Sequence, residues 1–337
     1  MMSKALLLLS AAATSHGANP MPHTALWDGA YIAATRGSPA LVRAVRAVAA
    51  SAEHYASLGP YSVMDKKEVA ASGDKHDFYC GATYFWPCNV RCADARNYQG
   101  EKFNCSAWSN VPNDEGLPDS WPGPCDLATG LPWTSHDLYA DSYWEAMDRD
   151  AFDKFNYAFF PLVMSWLHTG NAAHGQRAVL LLRTWFLNPR TRMNAATGMH
   201  WAAAEPGRYP SGAKGPGDQG GVVEFNRFQR TLDLVAILEW ADADGTLLTA
   251  ADRSGMRDWT TAFVDWWVFS GDGVRAANIS NNIGSGYTTN ALTMCHFLRN
   301  HSLCNQIVSG ATAVPLPPRS APKFSDRTVC ETRACLV

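Results

Sequence analysis

Two histidines stand beside residues that could support proton transfer. His76 lies between Lys75 and Asp77, and His200 precedes Trp201. An imidazole changes its charge near neutral pH, so each histidine is a candidate general acid or base. The alternative for His76 is a surface histidine held by its neighbouring Asp. The alternative for His200 and Trp201 is a packed pair in the core.

Local charge and aromatic rings indicate where an anionic ligand could bind. The 28 Lys+Arg and 31 Asp+Glu give a net charge of −3, which does not indicate a nucleic-acid or membrane partner. Any anionic ligand must therefore meet local charge, which Lys75 could supply, although most lysines are simply solvated. The 13 Trp, many beside Pro or Gly, exceed what a core usually needs. An indole in a loop can stack on a sugar ring, and core packing is the alternative.

Helices are the elements that the sequence predicts for positioning these residues. Apolar residues recur at helical spacing in several segments, and capping residues or helix breakers bound each segment. The predicted helices follow Ser38 as far as Gly59, run from Phe152 to Gly170, from Asn171 to Pro189 and from Glu224 to Trp240, and follow Thr249 through Trp266. Neighbouring segments are expected to pair as helical hairpins, and Pro161 is expected to kink its helix.

Alternating strand patterns are scarce, so the sequence predicts an all-α fold. The expected form is an incomplete α/α toroid of helical hairpins with long ligand-bearing loops, and a loose bundle is the alternative. Three irregular stretches separate the helices, at residues 60–135, 188–223 and 271–286. Loops of this length in a compact domain are usually functional or disordered, and their aromatic and Gly content favours function.

The N-terminus has the pattern of a secretory signal peptide. Lys4 gives a positive start, residues 5–13 are apolar, and small residues around Gly17 offer a cleavage point. This stretch is too short to span a bilayer, and no later segment is long and apolar enough, so export without a membrane anchor is predicted. The expected division is a signal peptide at 1–17, a domain at 18–310 that is truncated at its C-terminal end, and an irregular tail at 311–337.

Cysteine spacing favours disulfides over a metal site. Five of the nine Cys crowd one Pro- and Trp-rich region, namely Cys80, Cys88, Cys92, Cys105 and Cys125. Their gaps do not repeat the paired spacing of a zinc site, so no metal is predicted, and at least two of the five are expected to be disulfide-bonded. Sequons at Asn104, Asn278 and Asn300 fit a glycosylated exported chain, although such triplets also arise by chance.

Four ordered blocks of the sequence resemble the alginate-lyase family of polysaccharide lyases. Each block is similar to a segment of the family, and the similarity extends over about residues 55–300. The blocks are SGDKHDFY with YFWP (72–79 and 84–87), LRTWFLNP with TRMN (182–189 and 191–194), MHW followed by Pro-Gly (199–201 and 206–207), and NNIG (281–284), which stands where the family has Asn-Asn-His-Gly.

The resemblance implies β-elimination on a polymer of uronic acids, with no cofactor. Loss of the proton at C5 adds negative charge to a carboxylate, so Asn, Gln or Arg donors must stabilise the intermediate, while a base and an acid transfer protons. Asn282 matches the family's carboxylate-binding Asn, and a turn-forming Asn is the alternative. The other candidates for proton transfer are His76, His200 and Tyr287. The candidates for substrate binding are Lys75, Trp86, Trp201 and Arg192.

These candidates also have structural alternatives. Tyr287 could be a packed aromatic residue, and Arg192 could bind the carbonyls at a helix end. We expect one cleft to contain six of the candidates, namely Lys75, His76, Trp86, His200, Trp201 and Asn282. The expected partner is an acidic polysaccharide, and the expected state is a monomer.

Ile283 is a departure from the family, because it occupies the position of the motif His and cannot transfer a proton. The Arg and Tyr motif that follows in the family is also missing, and Arg333 resembles it only faintly. Three hypotheses therefore remain: an active lyase, a catalytically inactive relative that binds the glycan, and an inverting glycosidase. The glycosidase would need two carboxylates, for which Asp218 and Glu224 are the loop candidates.

Overall fold

A computed structural model of the protein describes residues 20–81, 147–204 and 216–310, together with the backbone of four short strands between them. Helices dominate these residues. They are α1 (Gly29–Thr35), α2 (Val42–Ala56), α3 (Asp148–Thr169), α4 (Ala172–Leu182), α5 (Phe228–Ala241), α6 (Ala250–Phe269), α7 (Gly271–Ala277), α8 (Asn282–Phe297) and α9 (His301–Ser309). Short 3₁₀ turns lie at Pro39–Leu41, Val63–Asp65 and Gln219–Phe225, and a π-helical turn at Arg183–Leu187 extends α4.

The strands are short and pair two by two. They are β1 (Tyr79–Gly81), β2 (Phe85–Pro87), β3 (Ala95–Arg96), β4 (Trp133–Ser135), β5 (Tyr139–Ala140) and β6 (Trp201–Ala204). β1 pairs with β6 in parallel, with Tyr79 opposite Trp201, whereas β2–β4 and β3–β5 are antiparallel. The all-α prediction is therefore confirmed, and the β1–β6 pair brings two of the family-like blocks side by side.

Most predicted helix starts are where capping chemistry placed them. The Ser38 side chain accepts a hydrogen bond from the Ala40 amide, and the Asn171 side chain caps α4 in the same way. Thr249 and Asp252 form a reciprocal capping box at the start of α6. Each side chain satisfies amides that the first helical turn leaves unpaired, which fixes where the chain enters the helix.

Most of residues 271–286, expected to be irregular, are helical: α7 covers Gly271–Ala277 and α8 begins at Asn282, with residues 278–281 between them. Two glycines in this stretch are sites of close backbone approach. A Cβ at Gly273 would lie 1.9 Å from the Trp267 carbonyl oxygen, and one at Gly284 would lie 1.9 Å from the Ile279 carbonyl oxygen. Tight packing of α7 and α8 therefore requires glycine, although glycine has low helix propensity.

The start of α5 also differs from its prediction. Glu224 belongs to the 3₁₀ turn Gln219–Phe225, and the α-helix begins only at Phe228. The Asp218 side chain accepts the Gly220 amide and starts this turn, while Gly221 approaches the Ala202 carbonyl so closely that a Cβ would lie 2.8 Å from its oxygen. Packing against β6 thus determines the local geometry.

Aromatic side chains form the centre of the core. Phe152 stacks on Phe225 with ring centroids 3.9 Å apart, and Trp185 lies 5.2 Å from Phe152. Trp259 donates its indole N–H to the Met193 carbonyl at 2.9 Å. Several tryptophans therefore fill the core rather than loops. Burial of each large side chain contributes about 1.5–3 kcal/mol, so this cluster fixes how the hairpins pack.

A disulfide between Cys295 and Cys304 joins α8 to α9. Cys80 is a buried free thiol, and burial raises its pKa well above its ordinary value, so it stays protonated and unreactive. Cys88, Cys92, Cys105 and Cys125 lie outside the described residues, so the expected disulfide among the five clustered cysteines remains a prediction.

Replacing Cys295 and Cys304 together with Ser should lower the free energy of unfolding by about 2–3 kcal/mol, because the unfolded chain loses a short covalent loop. Urea denaturation without reductant measures this loss. Reductant should reproduce it in the wild-type protein and leave the double variant unchanged. Equal stability of the wild-type protein and the double variant would show that the bond does not form.

No helix among the described residues is both long and apolar enough to cross a membrane.

Candidate active site

The buried carboxylate of Asp77 joins three of the family-like blocks. It accepts hydrogen bonds from Ser72 Oγ at 2.6 Å, from Asn194 Nδ2 at 2.9 Å and from Thr197 Oγ1 at 2.7 Å. The Trp201 side chain donates a further bond. Burial acts to raise the pKa of Asp77, yet these donors hold it below the ordinary value. Asp77 is therefore an ionised anchor that holds the loops together.

A buried ion pair holds the backbone of the same loop. The ammonium group of Lys66 pairs with Asp148 Oδ2 at 2.8 Å, and neither side chain is exposed. Lys66 also donates to the carbonyl oxygens of Lys75 and Asp77, at 2.5 and 2.8 Å. Asp148 Oδ2 accepts the Tyr79 amide at 2.8 Å. The pair thereby fixes the backbone of residues 75–79 against the start of α3.

Burial makes this pair electrostatically costly. It raises the pKa of Asp148 to about 7, although the nearby Lys66 ammonium and hydrogen bonds act in the opposite direction. Burial also lowers the pKa of Lys66, against the influence of Asp148. Each group therefore depends on the other to remain charged.

His76, Lys75 and Arg192 form one group of candidates. His76 Nδ1 lies 2.7 Å from the Arg192 carbonyl oxygen, which can only accept, so Nδ1 donates its proton and Nε2 keeps a lone pair. Lys75 Nζ donates to the Met64 carbonyl at 3.1 Å. The Arg192 side chain is exposed. These three residues offer a hydrogen-bond acceptor and two cations, and Lys75 and His76 directly precede Asp77 in the chain.

His200 directly precedes Trp201, whose side chain donates to Asp77. Its ring contacts the Trp201 ring edge to face, with centroids 4.7 Å apart. Its Nδ1 lies 3.4 Å from Asp272 Oδ2, in the first turn of α7, and 43% of the His200 side chain is exposed. Arg275 pairs with the other oxygen of Asp272. The imidazole is therefore accessible to solvent, and its Nδ1 faces the Asp272 carboxylate.

Asn282 is the first residue of α8 and is exposed. The preceding Asn281 caps the helix by accepting the Ile283 amide at 2.8 Å, so the Asn282 amide is not needed as the cap. Ile283 is half-buried and packs against the core. Asn282 thus presents an amide donor at the positive end of a helix, where an anionic group is favoured.

Tyr287 occupies the core side of α8. Its side chain is buried, and its ring stacks on Trp267 with centroids 6.3 Å apart. The Tyr287 carbonyl accepts the Trp267 indole N–H at 3.1 Å. These contacts give the Tyr287 ring a packing role, and its role in proton transfer stays a prediction.

The remaining candidates are Trp86, which belongs to a strand, and the loop acids Asp218 and Glu224. The Trp86 backbone lies opposite Thr134 in the β2–β4 pair, but its side chain is outside the described residues. Asp218 caps its turn, and the buried Glu224 pairs with Arg149 at 2.9 Å. The two loop acids nominated for a glycosidase therefore have structural partners.

Sequence reasoning missed Asp272 and Asn226. Asp272 belongs to a stretch that was expected to be irregular. Asn226 is exposed and lies against Gly286, where a Cβ would be 2.5 Å from its Oδ1. Because Gly286 is one helical turn beyond Asn282, Asn226 lies against the same face of α8. No local pattern links these residues, and only the packing of the turn Gln219–Phe225 against α8 places Asn226 there.

Within the described ranges, no group of three His, Cys, Asp or Glu side chains could hold a metal ion. The described side chains at the site can transfer protons through imidazole and form hydrogen bonds through amides and cations.

The fold belongs to the α/α toroid type. The chain is similar to the crystal structure of an alginate lyase from Bacteroides ovatus, with a TM-score of 0.66 and 23% sequence identity over 86% of this chain. It spans 64% of the length of that chain. The hairpin array is therefore a toroid-type fold, as predicted, rather than a loose bundle.

Residues 62–315 match the family model described as Alginate lyase, and this chain belongs to that family. No curated protein matches the sequence.

Proposed function

We propose that this protein binds a polymer of uronic acids and cleaves it by β-elimination, with His200 as the proton-transfer group and Asn282 as a carboxylate ligand. One observation carries the proposal: His200 faces Asp272 at the start of α7, and α8, which begins at Asn282, follows α7 after residues 278–281. An accessible imidazole beside α7 and an amide donor at the start of the next helix support this assignment.

β-Elimination on a uronate requires stabilisation of the negative charge that forms when C5 loses its proton. The C5 proton lies next to a carboxylate, so its removal builds negative charge on the carboxylate oxygens. The Asn282 amide and the positive end of α8 oppose this charge. His200 takes the proton, the C5 electrons form the C4=C5 double bond, and the C4–O bond breaks. The imidazolium then returns the proton to the leaving oxygen, so the net transfer is one proton.

His76, Lys75 and Arg192 support binding of the polymer farther along the site. Lys75 and Arg192 supply positive charge, and Trp201 offers an aromatic edge beside His200. Successive uronates carry one carboxylate each, so cations spaced along a groove suit such a chain. Lys75, His76 and Arg192 are therefore proposed to bind substrate rather than to perform the elimination.

Incubation of the purified protein with alginate, polymannuronate and polyglucuronate tests this function. Release of an unsaturated product that absorbs ultraviolet light identifies a lyase. New reducing ends without that chromophore would identify a hydrolase and contradict the proposal.

Glycan binding without cleavage is the second candidate function. Ile283 favours it, because this side chain occupies the position of the motif His and packs against the core. Binding of the polymers without any product would establish this function instead.

Asn282→Ala should weaken binding of a uronate oligosaccharide by about 1.5–3 kcal/mol, the contribution of one hydrogen bond to a charged group. Titration calorimetry measures this change. Ser285→Ala, at an exposed position in the same turn of α8, is the matched control and should bind like the wild-type protein. Unchanged affinity of the Asn282 variant would exclude Asn282 from the binding site.

Export is part of the same proposal. The signal-like N-terminus and the disulfide between Cys295 and Cys304 support an oxidising compartment. Of the three sequons, Asn278 and Asn300 lie among the described residues and both are exposed, which is compatible with glycosylation.

A further inference from the structure

We propose that Asp272 is a positioning residue that holds the proton of His200 on Nδ1 and leaves the Nε2 lone pair directed at the substrate. This inference rests on the proposed function of His200 and adds the group that would make His200 a usable base. It is carried by the geometry of Asp272, Arg275 and the loop that contains His200.

Asp272 is built into the fold as a fixed acceptor. It is only 8% exposed, and its position follows from the close contact of Gly273 with the Trp267 carbonyl. The α7 cap is supplied by Ser270 Oγ, which accepts the Gly273 amide at 3.0 Å, so capping does not occupy the Asp272 carboxylate. Arg275 holds one carboxylate oxygen, and the other faces His200 Nδ1 at 3.4 Å.

His200 is held from its backbone as well. The Gly217 amide donates to the His200 carbonyl at 2.8 Å, and the following Trp201 is tied to Asp77. Gly198 packs on Trp266 with φ of +51°, a conformation that favours glycine, and a Cβ there would lie 2.2 Å from the indole ring. These contacts fix the backbone that carries His200 and so restrict the orientations that its imidazole ring can adopt.

The consequence for the imidazole follows from donor and acceptor chemistry. An ionised carboxylate can only accept, so the nitrogen that faces it must carry the proton. The second nitrogen is then unprotonated and can receive the C5 proton, after which the carboxylate stabilises the imidazolium. Arg275 orients Asp272 through the pair with its other oxygen. The 3.4 Å separation leaves room for the contact to shorten when substrate fills the site.

The direct test is the tautomer of His200 in the wild-type protein, read from ¹⁵N chemical shifts of the imidazole at alkaline pH, where the ring is neutral. A His200→Gln variant assigns the signals. The expected result is a proton on Nδ1, and a proton on Nε2 would overturn the proposal. This measurement does not require the protein to be active, so it separates the fate of this inference from that of the lyase function.

Asp272→Asn supplies the second readout. Its side chain has the same shape, but the loss of charge should reduce kcat for elimination by about 10- to 100-fold with little change in KM, as removal of an outer partner of a functional His typically does. Asp265→Asn, at an exposed position on α6, is the matched control and should keep wild-type kinetics. Thermal unfolding checks that both variants are folded. Product formation with kcat unchanged in Asp272→Asn would leave the lyase function standing and refute the role of Asp272.

Discussion

A His200→Gln variant should release the unsaturated product roughly 10²–10⁴ times more slowly than the wild-type protein, because loss of a general base typically costs that factor. Glutamine keeps a polar side chain of similar length but cannot accept a proton. His200 is partly exposed, so the substitution should leave the fold intact. Initial rates of ultraviolet absorbance increase measure the loss, and binding of the polymer should persist.

Two further histidine variants sharpen this result. His76→Gln should raise KM with a smaller effect on kcat, because His76 is assigned to binding. His54→Gln, at an exposed position on α2, should behave like the wild-type protein. If His76→Gln causes the large loss in kcat and His200→Gln does not, the base has been assigned to the wrong histidine.

Ile283→His should gain little activity in the wild-type background. The Ile283 side chain packs against the core, so an imidazole there is partly desolvated and not positioned by a partner. The residues of an elimination site act as a unit, and one restored member seldom restores the rate. A large gain would instead show that the remaining groups already match the arrangement of the family.

Lys66→Met should lower the free energy of unfolding by about 3–5 kcal/mol, because it leaves Asp148 buried without its cation. The variant also loses the ammonium donors that hold the carbonyls of Lys75 and Asp77. We therefore expect the backbone of the candidate active site to become less rigid as the fold is destabilised. Urea denaturation measures the loss, and Lys67→Met, at an exposed position, is the matched control with an expected change below about 0.5 kcal/mol.

The loss of unfolding free energy caused by Lys66→Met should depend on pH. The pKa of Asp148 is about 7 in the folded protein, above its ordinary value of 3.8. The stabilisation linked to its protonated form is therefore fully present below the ordinary value and is lost as pH rises through about 7. Without Lys66, whose ammonium lowers this pKa in the wild-type protein, the pKa of Asp148 lies higher still. Above about pH 7 the variant therefore continues to lose stability as pH rises, whereas the wild-type protein has stopped doing so. The penalty should be larger near pH 8 than near pH 5, and the opposite trend would show that Asp148 is not the group left uncompensated.

Helix positions followed from the sequence where capping and apolar spacing agree. Asn171 and the Thr249–Asp252 pair start helices as predicted, because these contacts lie within one turn of the chain. The same reasoning failed at residues 271–286, which were expected to be irregular but include α7, the start of α8 and the buried glycines Gly273 and Gly284. Their role is to admit a neighbouring carbonyl, and such a contact leaves no periodic signal in the sequence.

The candidate site shows the same division. The residue types in the family-like blocks indicated proton transfer and carboxylate binding, and the sequence by itself determined that His76, His200 and Asn282 were the candidates. The tertiary structure decided the environments of the two histidines: a backbone carbonyl partner for His76 and the carboxylate of Asp272 for His200. These partners are distant in sequence, whereas the start of α8 at Asn282 is capped by the neighbouring Asn281. A hydrogen bond between distant segments depends on tertiary packing, whereas a helix cap depends only on neighbouring residues.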